Sequence, residues 1–300
     1  MNGRVAGSWL EAAETLLNTF FSAATDLPFV EETEITQDAL DVTIVTQDMV
    51  KKCLSKIKGR KTPGLDGLTG LMLRKLFHAA PEYILTIINK CFSEGTFPRL
   101  WKIAKVIILL KSPDKPTTSP RSYRPICLLS GWSKILERLM VERLTEDFIN
   151  NDTVSPMQFG FSAGKSTQDA WIEVIRSVEN SSSKYILGIF IDFVGAFDNL
   201  TWEAILRKLN FVKARDLKLW RSYFSDRFVV FEGNSQEFRR EVTQGCPQGS
   251  ICGPFIWNLV MNDLLLSLYN AGVKSVAYAD DLLILVEGSG AGLQSQKGIG

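Results

Sequence analysis

The sequence predicts an α+β fold in which helices and antiparallel hairpins are mixed. Several segments have apolar residues at helical spacing, and RFVVFEGNSQEFRREV predicts a hairpin with its turn near Gly233 and Asn234. Two apolar runs in VAYADDLLILV meet at the adjacent carboxylates Asp280 and Asp281. Because no regular strand–helix–strand alternation is present, these hairpins favour α+β over a parallel α/β architecture.

The elements of the N-terminal half follow from apolar periodicity and from breaking residues. We predict a helix over residues 9–24, a looser acidic stretch to Thr46, and a helix that Thr46 caps and that runs to about Lys58. The loop GRKTPGLDGL separates it from helices over 69–79 and 81–94. A strand over 101–111, a proline-rich loop and the returning segment PICLLS form a hairpin, followed by an amphipathic helix, WSKILERLMVERLTEDFI.

The C-terminal half is predicted in the same way. A linker over 150–165 leads to a helix over 167–179, whose residues Ala170, Trp171, Val174 and Val178 we expect to face inward. Residues 185–193 predict a buried core strand, and 202–209 and 214–224 predict helices. The hairpin over 227–242, the helix FIWNLVMNDLLLSLY and the strand–Asp-Asp–strand unit follow, and the glycine-rich tail is expected to fray.

Charge is distributed unevenly along the 300 residues, whose net charge is +1. Residues 1–50 hold nine acids and one base, whereas the remainder holds 33 bases and 24 acids. A basic body with an acidic leader suits a polyanionic partner, but surface charge also varies along chains without any function. Charge alone therefore leaves both interpretations open.

Cysteine usage and hydropathy indicate a reducing compartment. The number of cysteines is odd and there is no CxxC pair, which argues against a disulfide framework or a zinc site. The N-terminus lacks the apolar core of a signal peptide, and no apolar run is long enough to cross a bilayer. We therefore expect an intracellular protein, nuclear or cytoplasmic, that is not secreted and does not bind a membrane.

Three carboxylates are candidate metal ligands. Asp192 closes the apolar run ILGIFID, while Asp280 and Asp281 lie where a hairpin turns. A charge beside buried apolar strands requires water or a cation. The alternatives are a solvated acidic pair, a turn charge paired with a lysine, or a helix cap, a role that suits Asp198 ahead of the helix near Thr201. The arrangement favours a divalent-metal platform for phosphoryl chemistry.

The order of these motifs resembles the polymerase core of reverse transcriptases. FIDFVGAFD, QGCPQGS and YADD occur in the order of that core, and KTPGLDGL, SYRPICLLSGWSKILERLMVERL, QFGFSAGKSTQDAW and FIWNLVMNDLL resemble blocks of the non-LTR retrotransposon enzymes. The resemblance covers roughly residues 51–286 and is closest to the Jockey-like and ribosomal-DNA-inserting lineages of arthropods.

The resemblance implies a right-hand polymerase without its thumb. Residues 1–58 would be an N-terminal helical extension and 59–164 the fingers. Residues 165–300 would be the palm, with a ferredoxin-like βαββ antiparallel sheet from which the hairpin 227–242 extends. Because a thumb and the family's other regions are not visible, we expect little or no processive activity from these residues alone.

The resemblance also implies RNA-directed DNA polymerase activity, a two-metal nucleotidyl transfer of dNTPs onto a primer 3′-hydroxyl. Asp192 and Asp280 would ligate two Mg²⁺ ions, which Mn²⁺ can replace, with Asp281 as a third acid and the Phe193 carbonyl completing one site. The implied partners are an RNA template, a DNA primer or target, and dNTPs. The sequence leaves the oligomeric state open.

Nucleotide contacts are implied by position. Phe197 would exclude the 2′-hydroxyl, Gln248 and Gly249 would contact the nucleotide or template, and Lys111 and Arg124 would clamp the triphosphate. From the residues alone, a core phenylalanine and solvated cations are the preferred interpretations of Phe197, Lys111 and Arg124. An ordinary loop explains Gln248 and Gly249 at least as well. The basic run KKCLSKIKGRK is a candidate RNA-binding surface or a solvated helix face, and its cations are Lys51, Lys52, Lys56, Lys58, Arg60 and Lys61.

Two further functions compete with the polymerase. A group II intron-type maturase would share the core but would add a maturase region. A non-catalytic RNA-binding remnant would keep the fold and make no product. A primer-extension assay on poly(rA)/oligo(dT) distinguishes a catalyst from a binding protein.

Overall fold

The computed structural model describes residues 6–21, 44–151, 154–193, 195–209, 212 and 214–288. The predicted acidic stretch and the glycine-rich tail lie almost entirely outside these residues. The chain divides into two compact units, each built from two stretches of sequence. The first unit combines Met1–Asp147 with Phe197–Gly253, and the second combines Phe148–Ala196 with Pro254–Gly300.

The first unit contains most of the helices and a four-stranded sheet. Thr46 and Thr69 cap the second and third helices as their side chains accept hydrogen bonds from the backbone N–H groups of Met49 and Met72, so the predicted starts are confirmed. Its elements are α1 (Trp9–Phe20), α2 (Gln47–Ser55), α3 (Gly70–Ala79), α4 (Pro81–Glu94), a 3₁₀ turn (Arg99–Lys102), β1 (Ile103–Leu110), a 3₁₀ turn (Pro120–Ser122), β2 (Tyr123–Leu128) and most of α5 (Gly131–Asn151). After the stretch that belongs to the second unit, it continues with α7 (Trp202–Lys208), α8 (Ala214–Tyr223), β4 (Arg227–Gly233) and β5 (Gln236–Val242).

The sheet of the first unit has the strand order β2-β1-β4-β5. The predicted hairpins β1–β2 and β4–β5 are both present and antiparallel, and Asn234 and Ser235 form the turn of the second with positive φ angles. Strand β4 pairs in parallel with β1, so the 227–242 hairpin groups with the N-terminal unit rather than with residues 165–196. The division into an N-terminal extension, fingers and palm, with boundaries after residues 58 and 164, stays a prediction.

Helix α5 is not amphipathic, so that prediction is wrong. None of residues 131–144 is exposed, and even Ser133 and Glu137 are fully buried. The Glu137 carboxylate accepts hydrogen bonds from the Ser133 and Ser250 hydroxyls at 3.0 and 2.9 Å and from the Ile251 N–H at 2.7 Å. Because these donors satisfy the carboxylate internally, this polar residue needs no solvent-facing side of the helix.

The second unit contains a three-stranded antiparallel sheet and two helices. Its elements are α6 (Thr167–Glu179), β3 (Tyr185–Asp192), α9 (Cys252–Asn270, from Pro254 onward), β6 (Lys274–Tyr278) and β7 (Asp281–Gly288). The strand order of the sheet is β3-β7-β6. The order of strand, helix, strand and strand that the resemblance implied is present, with α9 between β3 and β6. No helix within the described ranges is long and apolar enough to cross a membrane.

Strand β3 is not a buried core strand, which corrects the prediction. It forms an edge of the three-stranded sheet, and the Phe190 side chain is 83% exposed. In α6, Ala170 is buried and Val174 packs against the same cluster, as predicted. Trp171 and Val178 were expected to face inward and are exposed instead, because α6 covers the sheet with one narrow face.

Candidate active site

Asp192 and Asp281 face each other across neighbouring strands. Asp192 is the last residue of β3 and Asp281 the first of β7, and the two are register partners in the antiparallel pair. Such partners have Cα atoms about 4.5–5.5 Å apart and side chains on one face of the sheet. Both carboxylates are exposed. Two negative charges in this position destabilise the sheet unless a cation lies between them.

Asp280 lies in the turn that joins β6 to β7. Tyr278 pairs with Asp281, so Ala279 and Asp280 are the two turn residues, and Ala279 has a φ of 58°. Within the described parts of the chain, no group of three or more His, Cys, Asp and Glu side chains is arranged to hold a metal ion. Strand pairing therefore brings Asp192 and Asp281 together, while the full set with Asp280 stays a prediction.

None of these three carboxylates has an ion-pair or hydrogen-bond partner among the residues that the structure describes. Glu287, on the same strand β7, is different. It pairs with Lys274 at 2.5 Å, and hydrogen bonds, chiefly from Lys274, lower the pKa of its carboxyl. The alternative for Asp280 and Asp281 was a turn charge paired with a lysine. The described residues form no such pair with either carboxylate.

Phe193, whose carbonyl was the fourth candidate ligand, follows Asp192 directly. Its ring packs edge-on against Trp257 with centroids 5.6 Å apart, and its carbonyl oxygen accepts a hydrogen bond from the Ala196 N–H at 3.2 Å. A carbonyl oxygen has two lone pairs, so one of them is left for a cation.

Two residues that the sequence did not single out hold the turn between β6 and β7. Trp257 Nε1 donates to the Ala279 carbonyl at 2.9 Å, and Gln158 Nε2 donates to the same oxygen at 3.2 Å. Gln158 lies in the QFGF block, which served as a family landmark without an assigned role.

Hydrogen bonds tie the loop that contains Gln248 and Gly249 to the rest of the first unit. The Cys246 N–H donates to the Phe197 carbonyl at 2.9 Å, and the Cys127 N–H of β2 donates to the Gln248 carbonyl at 2.8 Å. Gly249 has a φ of 117°, and a Cβ atom there would lie 2.6 Å from the Cys127 oxygen. The backbone therefore requires glycine at this position.

Asp198 does not cap a helix, which corrects the prediction. Thr201 caps α7 as its hydroxyl accepts from the Ala204 N–H at 3.4 Å. Burial raises the pKa of Asp198, while a hydrogen bond with the Gln248 side chain and the charge of Lys111 act to lower it. Two predicted nucleotide-binding residues, Gln248 and Lys111, thus converge on a carboxylate that sequence reasoning assigned elsewhere.

Lys111 and Arg124 flank the proline-rich loop, as predicted. Both side chains are exposed. The Lys111 N–H donates to the Ser122 carbonyl at 2.8 Å, and Arg124 pairs with Leu109 across β1 and β2. The antiparallel hairpin therefore carries both cations at the end of the two strands that joins the loop.

The basic run is exposed at all six cationic positions. Lys52 and Lys56 lie 3.6 and 3.7 Å from Glu142, and Lys51 lies 3.3 Å from Asp48. No ion pair involves the other three cations within the part of the chain that the structure describes, and these are Lys58, Arg60 and Lys61.

The chain is similar to proteins of retrotransposable elements. It is 43% identical over 95% of its length to a retrovirus-related Pol polyprotein from type-1 retrotransposable element R1 of Bradysia coprophila. It is 41% identical over 99% of its length to a 115 kDa protein in type-1 retrotransposable element R1DM of Drosophila melanogaster, and 30% identical over 84% to the RNA-directed DNA polymerase from mobile element jockey of that species. The chain spans 28% of each of these relatives.

Residues 111–297 match the family model described as reverse transcriptase (RNA-dependent DNA polymerase). These residues include every predicted metal-binding and nucleotide-binding position and both strands of the Asp-Asp hairpin. The resemblance drawn from the sequence motifs is thereby confirmed, and the chain belongs to the reverse transcriptase family.

Proposed function

We propose that this chain forms the core of an RNA-directed DNA polymerase of a non-LTR retrotransposon. It would transfer deoxynucleotides from dNTPs to the 3′-hydroxyl of a DNA primer on an RNA template. The observation that carries the proposal is the register pair Asp192 and Asp281, with Asp280 in the adjoining turn and no described protein partner for any of the three. In this proposal the β3-β7-β6 sheet is the palm, with a ferredoxin-like βαββ arrangement.

Reverse transcriptases use divalent metal ions, and the donor set fits such ions. Carboxylate and carbonyl oxygens are the ligands that Mg²⁺ prefers, and Mn²⁺ accepts the same atoms. Asp192 and Asp280 would hold two ions, with Asp281 as a further acid and the Phe193 carbonyl at one site. Bound there, the ions would make the primer hydroxyl a better nucleophile and would stabilise the departing pyrophosphate.

Five predicted residues would supply the nucleotide contacts. Arg124 offers a planar fork to phosphate oxygens and Lys111 a compact charge, which suits a triphosphate. Gln248 has both a donor and an acceptor for a base, and Gly249 leaves its backbone open to close approach. Phe197, half-buried beside this loop, would exclude a 2′-hydroxyl by its bulk.

The basic run of α2 and the following loop would bind the RNA template. Its exposed cations can contact phosphates, and such binding weakens steeply as the salt concentration rises. The cations without an ion pair among the described residues, Lys58, Arg60 and Lys61, are free of a competing carboxylate and would contribute most. Lys52 and Lys56 would first have to leave Glu142.

Primer extension on poly(rA)/oligo(dT) with dTTP and Mg²⁺ or Mn²⁺ tests this function. We expect the chain to add nucleotides in short, distributive bursts. Asp280→Asn should abolish addition, because it replaces a charged metal ligand with a neutral side chain of similar size. Glu94→Gln, which neutralises an exposed carboxylate of α4, is the control and should extend normally. Equal extension by Asp280→Asn would contradict the assignment. RNA binding without any extension by the unmodified chain would instead support a non-catalytic RNA-binding protein.

A further inference from the structure

The segment that precedes the QFGF glycine runs alongside the catalytic hairpin. The Phe159 N–H donates to the Ala277 carbonyl at 2.8 Å, and the Ala277 N–H donates to the Met157 carbonyl at 2.9 Å. Gln158 thereby forms a parallel bridge with Ala277 of β6. This short stretch acts as an additional strand on the edge of β6, next to the turn that carries Asp280.

The side-chain amide of Gln158 both donates a hydrogen bond to the backbone of the turn and accepts one from it. It is 5% exposed, and its Oε1 accepts from the Ala279 N–H at 3.1 Å and from the Gly160 N–H at 2.9 Å. Its Nε2 donates to the Ala279 carbonyl at 3.2 Å, an oxygen that also accepts from Trp257 Nε1 at 2.9 Å. Both backbone polar groups of Ala279 are therefore bonded to side chains from distant parts of the sequence.

The conformation of Ala279 explains why such a clamp is needed. Its φ of 58° lies in the left-handed region, which a residue with a Cβ atom adopts at a cost. Strained residues of this kind persist where the surrounding structure holds them, and they are frequent at functional sites. The next residue is Asp280, so the direction in which that carboxylate points depends on the conformation of Ala279.

Gly160 allows the clamp to approach the turn. A Cβ atom on Gly160 would lie 2.0 Å from the Ala279 nitrogen, which only glycine avoids. The Gly160 carbonyl accepts a hydrogen bond from Asn258 Nδ2 at 3.0 Å. Asn258 directly follows Trp257 in α9. The glutamine and the glycine of the QFGF block are thus both explained by contact with one residue of the turn, Ala279.

We propose that Gln158 is a positioning residue for Asp280. It holds Ala279 in the left-handed conformation and so directs the Asp280 carboxylate toward the metal-binding position, while Trp257 and Gly160 complete the clamp. The proposal rests on the polymerase function proposed above. The simpler view, that Gln158 is a buried glutamine satisfied wherever partners are available, predicts an effect on stability and none on catalysis.

The first experiment tests the contact itself by amide hydrogen exchange followed by mass spectrometry. Gln158→Met keeps the length and volume of the side chain but removes its donor and its strong acceptor. We expect peptides containing Ala279 to lose protection in this variant and peptides of β1 and β2 to keep it. Gln236→Met, at an exposed glutamine of β5, is the matched control. Unchanged protection at the turn would overturn the clamp.

The second experiment tests positioning in the unmodified chain and the Gln158→Met variant. On poly(rA)/oligo(dT) we expect kcat of the variant to fall at least about tenfold, because the lost hydrogen bonds no longer orient Asp280. The KM for dTTP should stay nearly unchanged, because Gln158 does not contact the nucleotide. The increase in unfolding midpoint that Mg²⁺ gives the unmodified chain should also shrink. A variant that lowers only the melting temperature, with normal kcat, would overturn the proposal.

Rescue by glycine separates positioning from general stability. Glycine adopts a positive φ without strain, so Ala279→Gly in the Gln158→Met background should restore much of the lost kcat. Ala279→Gly should therefore raise kcat more in the Gln158→Met background than in the chain that keeps Gln158. Absence of rescue would overturn the proposal.

If Gln158→Met does not fold, Trp257→Phe takes its place, since it removes one donor to the same carbonyl and keeps an aromatic ring. The same rescue by Ala279→Gly is expected there. A chain that extends no primer even when unmodified would contradict the polymerase assignment, whereas the exchange experiment would still decide whether the clamp exists.

Discussion

Asp192 and Asp281 are register partners on the antiparallel strands β3 and β7, so two carboxylates face each other on one side of the sheet. Their repulsion should oppose folding in the absence of a cation. We expect Asp281→Asn to raise the free energy of unfolding by about 0.2–1 kcal/mol in EDTA at low salt. The same change should weaken the stabilisation that Mg²⁺ gives the unmodified chain, since a ligand that binds the folded state stabilises it.

Urea unfolding with EDTA or with Mg²⁺ measures both effects. Glu287→Gln on the same strand is the control, because Glu287 has a partner, Lys274. That variant should lose stability in EDTA and should respond to Mg²⁺ like the unmodified chain. An Asp281→Asn protein that is less stable in EDTA, with an intact Mg²⁺ response, would show that the facing carboxylates are not a cation site.

Gly249→Ala tests the strained backbone of the loop beside Gln248. Its φ of 117° and the 2.6 Å approach to the Cys127 oxygen should cost about 1–3 kcal/mol of unfolding free energy. Gly67→Ala is the matched control, because Gly67 also has a positive φ, 66°, but has nothing within 4 Å of the added Cβ. It should cost about 1 kcal/mol. Chemical denaturation that gave equal losses would contradict the close approach.

Glu137→Ala tests the buried carboxylate of α5. The change leaves the Ser250 hydroxyl and the Ile251 N–H without their acceptor, and we expect a loss of about 3 kcal/mol. Glu142→Ala on the same helix removes a partly exposed partner of Lys52 and Lys56, and it should cost at most about 1 kcal/mol. Similar losses for the two variants in urea unfolding would contradict the buried network.

Iodoacetamide reactivity at pH 8 tests the packing around the cysteines, all of which are buried and unpaired. Burial raises the pKa of Cys53 and Cys91 to about 11 and that of Cys127 and Cys246 to about 12. It also raises the pKa of Cys252 well above the usual value of a thiol. Because the thiolate is the reactive form, we expect almost no alkylation of the folded chain and complete alkylation in urea. Rapid modification of one cysteine in the folded chain would show that its surroundings are open.

Local signals in the sequence predicted the elements well. Thr46 and Thr69 start helices because their own side chains cap the next turn, and the prolines after Ser112 mark the hairpin loop. Exposure was predicted less well. An apolar run such as that of β3 is the same for a core strand and an edge strand, so the sequence did not indicate that Phe190 is exposed.

The parts of the site that the sequence did not reveal depend on long-range contacts. Asp198 was taken for a helix cap, because its partners Gln248 and Lys111 are far away in the chain. The clamp joins Gln158 to Ala279, 121 residues later, so no local pattern could indicate it. The facing of Asp192 and Asp281 could be expected only in outline, since their register depends on the pairing of β3 with β7.

Iron-mediated cleavage of the chain tests most directly whether these carboxylates hold metal ions. Fe²⁺ replaces Mg²⁺ at oxygen ligands, and with ascorbate and peroxide it cuts the nearby backbone, which mass spectrometry locates. The account predicts cuts beside Asp192 and beside Asp280 and Asp281, suppressed by excess Mg²⁺ and reduced in Asp280→Asn. Cuts located elsewhere, or cuts at these residues that neither Mg²⁺ nor the substitution diminishes, would contradict it.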